Sequence, residues 1–141
     1  MVSLTDIINF TYTDSLKEGD VIQIDDNLVL VSNMTGSGQD SGHWINFWTK
    51  NVGWNSSSHP FCSVTGCNST GGHGGHVIVE LNDDLDREIR GIIPLCPNHN
   101  NPSKQGHFEI EIGSTLVCHL FEPNVRRKST HGMVLRPRKQ H

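Results

Sequence analysis

Four residues between positions 62 and 99 have the types and the spacing of a metal site. They form a Cys-x4-Cys pair and, 28 residues later, a Cys-x2-His pair, namely Cys62, Cys67, Cys96 and His99. Three thiolates and one imidazole are a donor set that Zn²⁺ takes in tetrahedral structural sites. In a small domain such a crosslink adds folding free energy that the core does not supply. The sequence therefore predicts one structural Zn²⁺ on these four side chains.

The elements around these residues predict how the ligands meet. The first pair lies in a tight knuckle, where the glycine before Cys67 allows a positive φ. The stretches HVIVE and REIRGIIPLC, separated by LNDDLD, predict a β-hairpin. Pro97 suits the first position of a short helix, on which Cys96 and His99 would share one face. A knuckle, a hairpin and a short helix over residues 60–105 are the element order of a treble-clef zinc finger.

The N-terminal half is predicted to be rich in β-structure. Residues 16–33 favour a β-hairpin with an Asp-Asp-Asn turn, whereas residues 4–10 fit a short helix and an extended lead-in equally well. The alternating pattern of residues 43–54, HWINFWTKNVGW, predicts a strand with an aromatic face. Its tryptophans favour core packing, with stacking on a base or sugar as the alternative. After a further strand over residues 108–120, the prediction is one small α+β domain, mostly β, spanning residues 1–123.

Composition limits the class of protein and its compartment. The chain has 141 residues, 34% of them hydrophobic, with a mean hydropathy of −0.40, and no apolar run approaches the roughly 20 residues of a membrane span. The first residues show no basic and apolar leader, so we expect a cytoplasmic protein with reduced thiols and no membrane partner. Two disulfides are the other use of four cysteines, and they would fit a secreted chain.

Charge is distributed unevenly along the chain. Residues 1–123 contain 5 Lys and Arg against all 15 Asp and Glu, a net charge of −10, while residues 124–141 carry 6 Lys and Arg and no acid. The acidic part repels phosphate at long range. The basic C-terminal tail, residues 124–141, could bind nucleic acid, fold back on the acidic part or remain solvated.

Part of the motif resembles a known family. The stretches GGHV and IIPLCPNHNN are similar to those of HNH-type treble-clef proteins, and the likeness covers about 40 of the 141 residues. Position by position, the resemblance implies that His76 is the general base and that Cys96 and His99 are the structural zinc pair. The chain departs from the pattern of active nucleases at three positions: Gly75 replaces the metal-binding Asp, Gly91 the middle Asn, and Asn100 the last His.

The departures bear on catalysis. Cleavage of a phosphodiester by this motif needs a base and a divalent ion, Mg²⁺ or Mn²⁺, and here the ion would rest on Asn100 with His73 or His107, all neutral donors. His76 and Asn100 are therefore the candidate catalytic residues. Alternatively, His76 supports the zinc knuckle as a packing or hydrogen-bonding residue. Cys118 is either a further metal donor or a buried thiol in a strand.

Three functional hypotheses follow. The first is an HNH-like zinc-binding module that acts by binding nucleic acid or a protein, with little or no catalysis. The second is a metal-dependent HNH-type endonuclease that uses His76. The third is an acidic inhibitor that occupies a nucleic-acid-binding groove on another protein. Phosphate-loop, dinucleotide and serine-hydrolase motifs are absent from the sequence. Whether the protein is an enzyme is left open by the sequence.

Overall fold

The computed structural model describes residues 2–10, 15–26, 30–33, 41–81, 87–100 and 107–120. Within these ranges, one mixed sheet of seven strands and two helices make a small α+β domain that is mostly β, as predicted. The helices are α1 (Leu4–Phe10) and α2 (Ser41–Val52). The strands are β1 (Val2–Ser3), β2 (Val21–Gln23), β3 (Leu30–Asn33), β4 (His73–Glu80), β5 (Glu88–Leu95), β6 (His107–Phe108) and β7 (Thr115–Cys118).

The sheet is built around the pair β4 and β5. Its strand order is β1-β2-β7-β5-β4-β3-β6, with β1 and β2 parallel and every other neighbouring pair antiparallel. The register of β4 and β5 runs from His73 opposite Leu95 to Glu80 opposite Glu88, which confirms the predicted hairpin. Its connection, residues 82–86, lies outside the described residues.

The two faces of this hairpin are buried against different elements. Successive side chains of a strand point to opposite faces, so Val77 and Val79 share one face while Gly74 and His76 share the other. The first face joins a large core that includes Leu4 and Ile7 of α1. The second face is covered by α2, whose Ile45 and Trp48 pack with Ile92 and Val117. Burial on both faces explains why the two strands contain nearly continuous apolar runs.

The predicted strand over residues 43–54 is wrong, because most of this segment is helix α2. Ile45 and Trp48 are buried three positions apart, while Asn46 and Lys50 are exposed, which is the burial pattern of an amphipathic helix. The closely spaced aromatic residues fit the period of two of a strand as well as the period of 3.6 of a helix, so the sequence pattern did not distinguish a strand from a helix here. Burial of one helical stripe on the sheet outweighs the β-propensity of tryptophan and phenylalanine.

The predicted hairpin over residues 16–33 is also wrong in its pairing. Both strands exist, but β2 pairs with β1 and β7, whereas β3 pairs with β4 and β6. The predicted strand over 108–120 is divided into β6 and β7, which are separated by a turn in which Gly113 adopts a φ of 103°. Of the two alternatives for residues 4–10, the structure has the helix.

Helix α2 has a defined C-terminus. Gly53 follows its last residue with a φ of 73°, and the Trp54 amide donates to the Thr49 carbonyl at 2.9 Å. A left-handed residue after the helix and a hydrogen bond of this span form a Schellman motif, which ends the helix cleanly.

Among the described residues, no helix has both the length and the apolar character needed to cross a membrane. The basic tail lies outside the described residues.

Candidate metal centre

The structure brings the four predicted ligands together. One ligand atom from each of Cys62, Cys67, Cys96 and His99 lies within 4.8 Å of every other, so the group could hold a metal ion. The His99 Nδ1 atom is 3.2 Å from the Cys96 sulfur and 3.5 Å from the Cys62 sulfur, and the sulfurs of Cys67 and Cys96 are 3.9 Å apart. All four cysteines of the chain are free thiols, which contradicts the two-disulfide alternative.

Backbone hydrogen bonds form the knuckle that carries the first two ligands. The Cys62 amide donates to the Ser69 carbonyl, and the Cys67 amide donates to the Val64 carbonyl. Gly66 has the positive φ, 79°, that the sequence predicted at this turn. The knuckle is fixed to the sheet because the Ser63 amide donates to the carbonyl of Pro94 in β5 at 2.9 Å.

The other two ligands follow the last residue of β5. The amides of His99 and Asn100 both donate to the Cys96 carbonyl, at 3.1 and 2.8 Å, which turns His99 back toward the Cys96 sulfur. The sequence predicts a short helix that begins at Pro97. The structure has a hydrogen-bonded turn over residues 97–99 instead of this helix. Residues 101–106 lie outside the described residues. A single turn after β5 is thus enough to bring the Cys96 and His99 side chains together.

The donor set fits a tetrahedral ion. With Zn–S bonds of about 2.3 Å, ligand atoms at the corners of a tetrahedron lie about 3.8 Å apart, close to the distances of 3.2 to 3.9 Å found here. Burial raises the pKa of the Cys62 thiol to about 11, whereas the backbone N–H of Ser69 lowers the pKa of Cys67. A buried thiol of this kind becomes a thiolate only beside a cation, which is the condition that zinc provides.

The two candidate catalytic residues lie on opposite faces of β4. A Cβ atom on Gly75 would be 3.0 Å from the Asn100 Oδ1 atom, so Asn100 packs on the Gly75 face of the strand. His76 points to the other face, where its ring contacts Trp44 of α2 with 5.0 Å between centroids. Asn100 is only 7% exposed, and its Oδ1 atom is buried with no hydrogen-bond partner among the described residues. The catalytic roles of His76 and Asn100 stay predictions.

Close packing explains two departures from the HNH pattern. A Cβ atom on Gly75 would lie 2.3 Å from the Leu95 Cδ1 atom, and one on Gly91 would lie 2.5 Å from the Val117 carbonyl oxygen. Real Cβ atoms essentially never approach other heavy atoms so closely. A side chain at Gly91 would therefore meet the backbone of β7, whereas one at Gly75 would require the buried Leu95 side chain to move.

A cluster of histidine and aromatic rings lies between α2 and the sheet, and the sequence analysis did not predict it. Its members are Trp44, Phe47, His76 and His119. The His119 ring is 4.2 Å from Trp44, 5.2 Å from His76 and 5.8 Å from Phe47, measured between centroids. The His119 Nδ1 atom hydrogen-bonds a Glu18 carboxylate oxygen at 2.6 Å, and the other oxygen accepts the Leu120 amide at 2.8 Å. Only the dipeptide Cys-His after the last strand pointed to His119, and nothing pointed to Glu18.

Electrostatics in this cluster follow from burial and from the neighbouring charges. Burial, with the nearby imidazole of His119, lowers the pKa of His76 to about 4, so His76 is neutral at pH 7. Burial disfavours the charged form of Glu18, but hydrogen bonds from the Leu120 amide and from His119 outweigh it and lower the pKa of Glu18. A neutral imidazole therefore lies beside a second imidazole that an ionised carboxylate orients.

The remaining candidates are placed elsewhere. His73 begins β4 opposite Leu95. The His107 Nε2 atom in β6 lies 3.7 Å from a Glu80 carboxylate oxygen in β4, across the intervening β3. Cys118 is buried in β7, where burial raises the pKa of its thiol to about 11. It is not part of the four-residue metal group among the described residues. These findings favour the buried-thiol interpretation of Cys118.

Comparisons of the chain with protein families, with curated proteins and with solved structures find no match. The likeness to HNH-type proteins therefore rests on the motif alone.

Proposed function

We propose that this protein is a zinc-stabilised, HNH-like treble-clef module that acts in the cytoplasm by binding a partner, nucleic acid or protein, with little or no catalysis. The proposal rests chiefly on the group of Cys62, Cys67, Cys96 and His99, whose four ligand atoms lie within 4.8 Å of one another. When bound, the ion would crosslink the knuckle to the turn after β5.

The composition of the group supports a structural role for the metal. Four protein ligands complete a tetrahedral zinc shell, whereas catalytic zinc sites keep one position for water or substrate. Three of the four ligands are thiolates, and sets of this kind are typical of structural sites. The ion would then contribute to folding and leave partner binding to the surrounding surface.

The nuclease alternative has weaker support. A base with a pKa of about 4 accepts a proton poorly at pH 7, and this is the direction in which burial shifts His76. The positions of the metal-binding Asp and the middle Asn are occupied by Gly75 and Gly91, which are closely packed by Leu95 and Val117. A hard divalent ion binds poorly without a carboxylate, so the ion that would hold a phosphate lacks its usual ligand at position 75.

The zinc proposal is tested by replacing one ligand and, as a matched control, the cysteine that is not a ligand. Elemental analysis should find one zinc per chain in the wild type and in Cys118→Ser, and a loss of zinc in Cys67→Ser. The Cys67→Ser chain should also unfold at a much lower temperature, because metal binding contributes folding free energy directly. A wild-type chain that is purified under reducing conditions and holds no zinc, even after incubation with the ion, would refute the proposal.

The choice between module and enzyme needs a separate assay. The full zinc-loaded chain is incubated with single- and double-stranded RNA and DNA in the presence of Mg²⁺ or Mn²⁺, beside His76→Ala. We expect no cleavage above background, and binding to any nucleic acid should weaken steeply with salt if it uses the basic tail. Robust Mg²⁺-dependent cleavage that His76→Ala abolishes would establish the nuclease alternative instead.

A further inference from the structure

We propose that His76 and His119 form a second metal site, which binds a divalent transition-metal ion such as Zn²⁺ through two imidazoles and leaves its remaining positions to solvent or an incoming ligand. The site is separate from the four-residue thiolate group, and it does not depend on that group's being an HNH-like centre. Imidazole is a ligand for zinc, copper and nickel, so this chemical class of ion follows from the side chains.

The sheet brings these two histidines to one face although they are far apart in the sequence. His76 is opposite Ile92 across the β4–β5 pair, and Ile92 is opposite Val117 across the β5–β7 pair. His119 lies two residues beyond Val117, on the same face, and its amide continues the pairing by donating to the Arg90 carbonyl at 3.1 Å. The two imidazoles therefore both face α2, one from β4 and one from the residue that follows β7, which is a favourable basis for a preorganised site.

The separation of the rings matches a shared ion. Two imidazoles that bind one tetrahedral ion through nitrogens at about 2.05 Å have ring centroids about 5 Å apart. The centroids of His76 and His119 are 5.2 Å apart, and the planes are inclined by 57°. Packed rings also take separations in the range of about 4.5 to 7 Å, so the distance permits a shared ion, and the common face and the contact with Glu18 are what favour one.

Glu18 supplies the supporting contact that metal-binding histidines commonly have. Such histidines usually donate their second ring N–H to a carboxylate or carbonyl group, which fixes the tautomer and raises the basicity of the ligating nitrogen. The Glu18 carboxylate takes the Nδ1 side of His119 at 2.6 Å, so the Nε2 atom is the ligating one. Glu18 is itself held by the Leu120 amide at 2.8 Å, which limits the movement of this pair.

Aromatic side chains hold the two imidazoles in place. The Trp44 ring lies 5.0 Å from His76 and 4.2 Å from His119, and Phe47 lies 5.8 Å from His119. These contacts restrict the rotation of both histidines and reduce the entropy that a bound ion would remove. The His119 side chain keeps 16% of its surface exposed, so this histidine is the member of the pair through which the site would meet solvent.

The proposal is tested by titrating Zn²⁺ into a chain whose first equivalent of zinc has been counted by elemental analysis. Calorimetry should show a second equivalent with a Kd below about 0.1 mM. His76→Phe and His119→Gln should each weaken this second event at least 10-fold, and Glu18→Gln should weaken it about 10-fold through the ligand it supports. His59→Gln is the control, because His59 is an exposed histidine outside both groups and its replacement should leave both events unchanged.

A readout on the wild type guards against variants that fail to fold. In a long-range ¹H–¹⁵N spectrum of the imidazoles, the second equivalent should move the ring nitrogens of His76 and His119 and leave those of His73 and His107 in place. The proposal is overturned if the wild type takes up no second equivalent in this range, or if the ring signals that move belong to other histidines. Either result would leave the thiolate site untouched, since its zinc is counted before the titration begins.

Discussion

Replacing Gly74 with alanine should push helix α2 away from the sheet. Gly74 lies on the face of β4 that α2 covers, and a Cβ atom there would be 2.4 Å from the Ile45 nitrogen and 2.4 Å from the Trp44 carbonyl carbon. Both are backbone atoms of the helix, so rotation of a side chain cannot remove the clash. Because ordinary contacts of a Cβ atom begin at 3.4 Å, the helix and strand must separate by about 1 Å.

The energetic cost follows from this displacement. Overpacking of a core costs about 1–3 kcal/mol, and a clash with backbone belongs at the upper end of that range. The separation also loosens the contacts of the buried side chains of Ile45 and Trp48 with the sheet. Alanine recovers about 0.5 kcal/mol relative to glycine in a strand, which leaves a net destabilisation of about 2–3 kcal/mol. For a domain of this size, the melting temperature should fall by about 7–10 °C.

Thermal unfolding of the zinc-loaded chain measures this loss, and Gly53→Ala is the control. Gly53 has a φ of 73°, and a Cβ atom there would meet no other atom within 4 Å, so alanine costs only the left-handed backbone conformation, about 1 kcal/mol. Both changes are glycine to alanine and affect the unfolded chain alike. If Gly74→Ala lowers the melting temperature no more than Gly53→Ala does, α2 does not pack on β4 as described.

Three further predictions concern His76, the HNH pattern and the attachment of α2. Burial lowers the pKa of His76 from 6.5 to about 4, so the folded state favours the neutral ring. The contribution of His76 to the free energy of unfolding is therefore present above pH 6.5 and is lost as the pH falls toward 4. In denaturant titrations, the wild type should lose about 1 kcal/mol more stability than His76→Phe between pH 7.5 and 5. Gly75→Asp restores the carboxylate of the nuclease pattern but should lower the melting temperature and confer no Mg²⁺-dependent cleavage, because Leu95 fills that space; a stable and active variant would contradict this. Trp48→Phe should cost about 1–3 kcal/mol, because the indole N–H of this buried residue donates to the Thr115 carbonyl at 2.9 Å, whereas Trp54→Phe on the exposed surface should cost less in the same assay.

Local patterns were sufficient to predict the metal group and the central hairpin. The spacing of Cys62, Cys67, Cys96 and His99 predicted a group of four donors that the structure brings together, because a knuckle and a single turn after a strand place closely spaced donors side by side through short-range geometry. The apolar runs of β4 and β5 likewise predicted two neighbouring strands, and the structure pairs them. Within each half of the group and within the hairpin, the decisive interactions join residues that are close in the sequence. The two halves, with Cys62 and His99 37 residues apart, meet because the hairpin returns the chain to the knuckle.

Tertiary structure alone decided the remaining features. The segment with Trp44 and Trp48 fits both periods, and only the apolar face that β4, β5 and β7 present makes the helix the more favourable state. The partners of β2 and β3 depend on which distant strands offer unpaired edges, and a local sequence pattern does not contain this information. His119 meets Glu18, 101 residues away in the sequence, because β2 and β7 are neighbours in the sheet. Contacts of this range arise from the packing of the whole domain, and the local sequence around Glu18 and around His119 carries no information about their pairing.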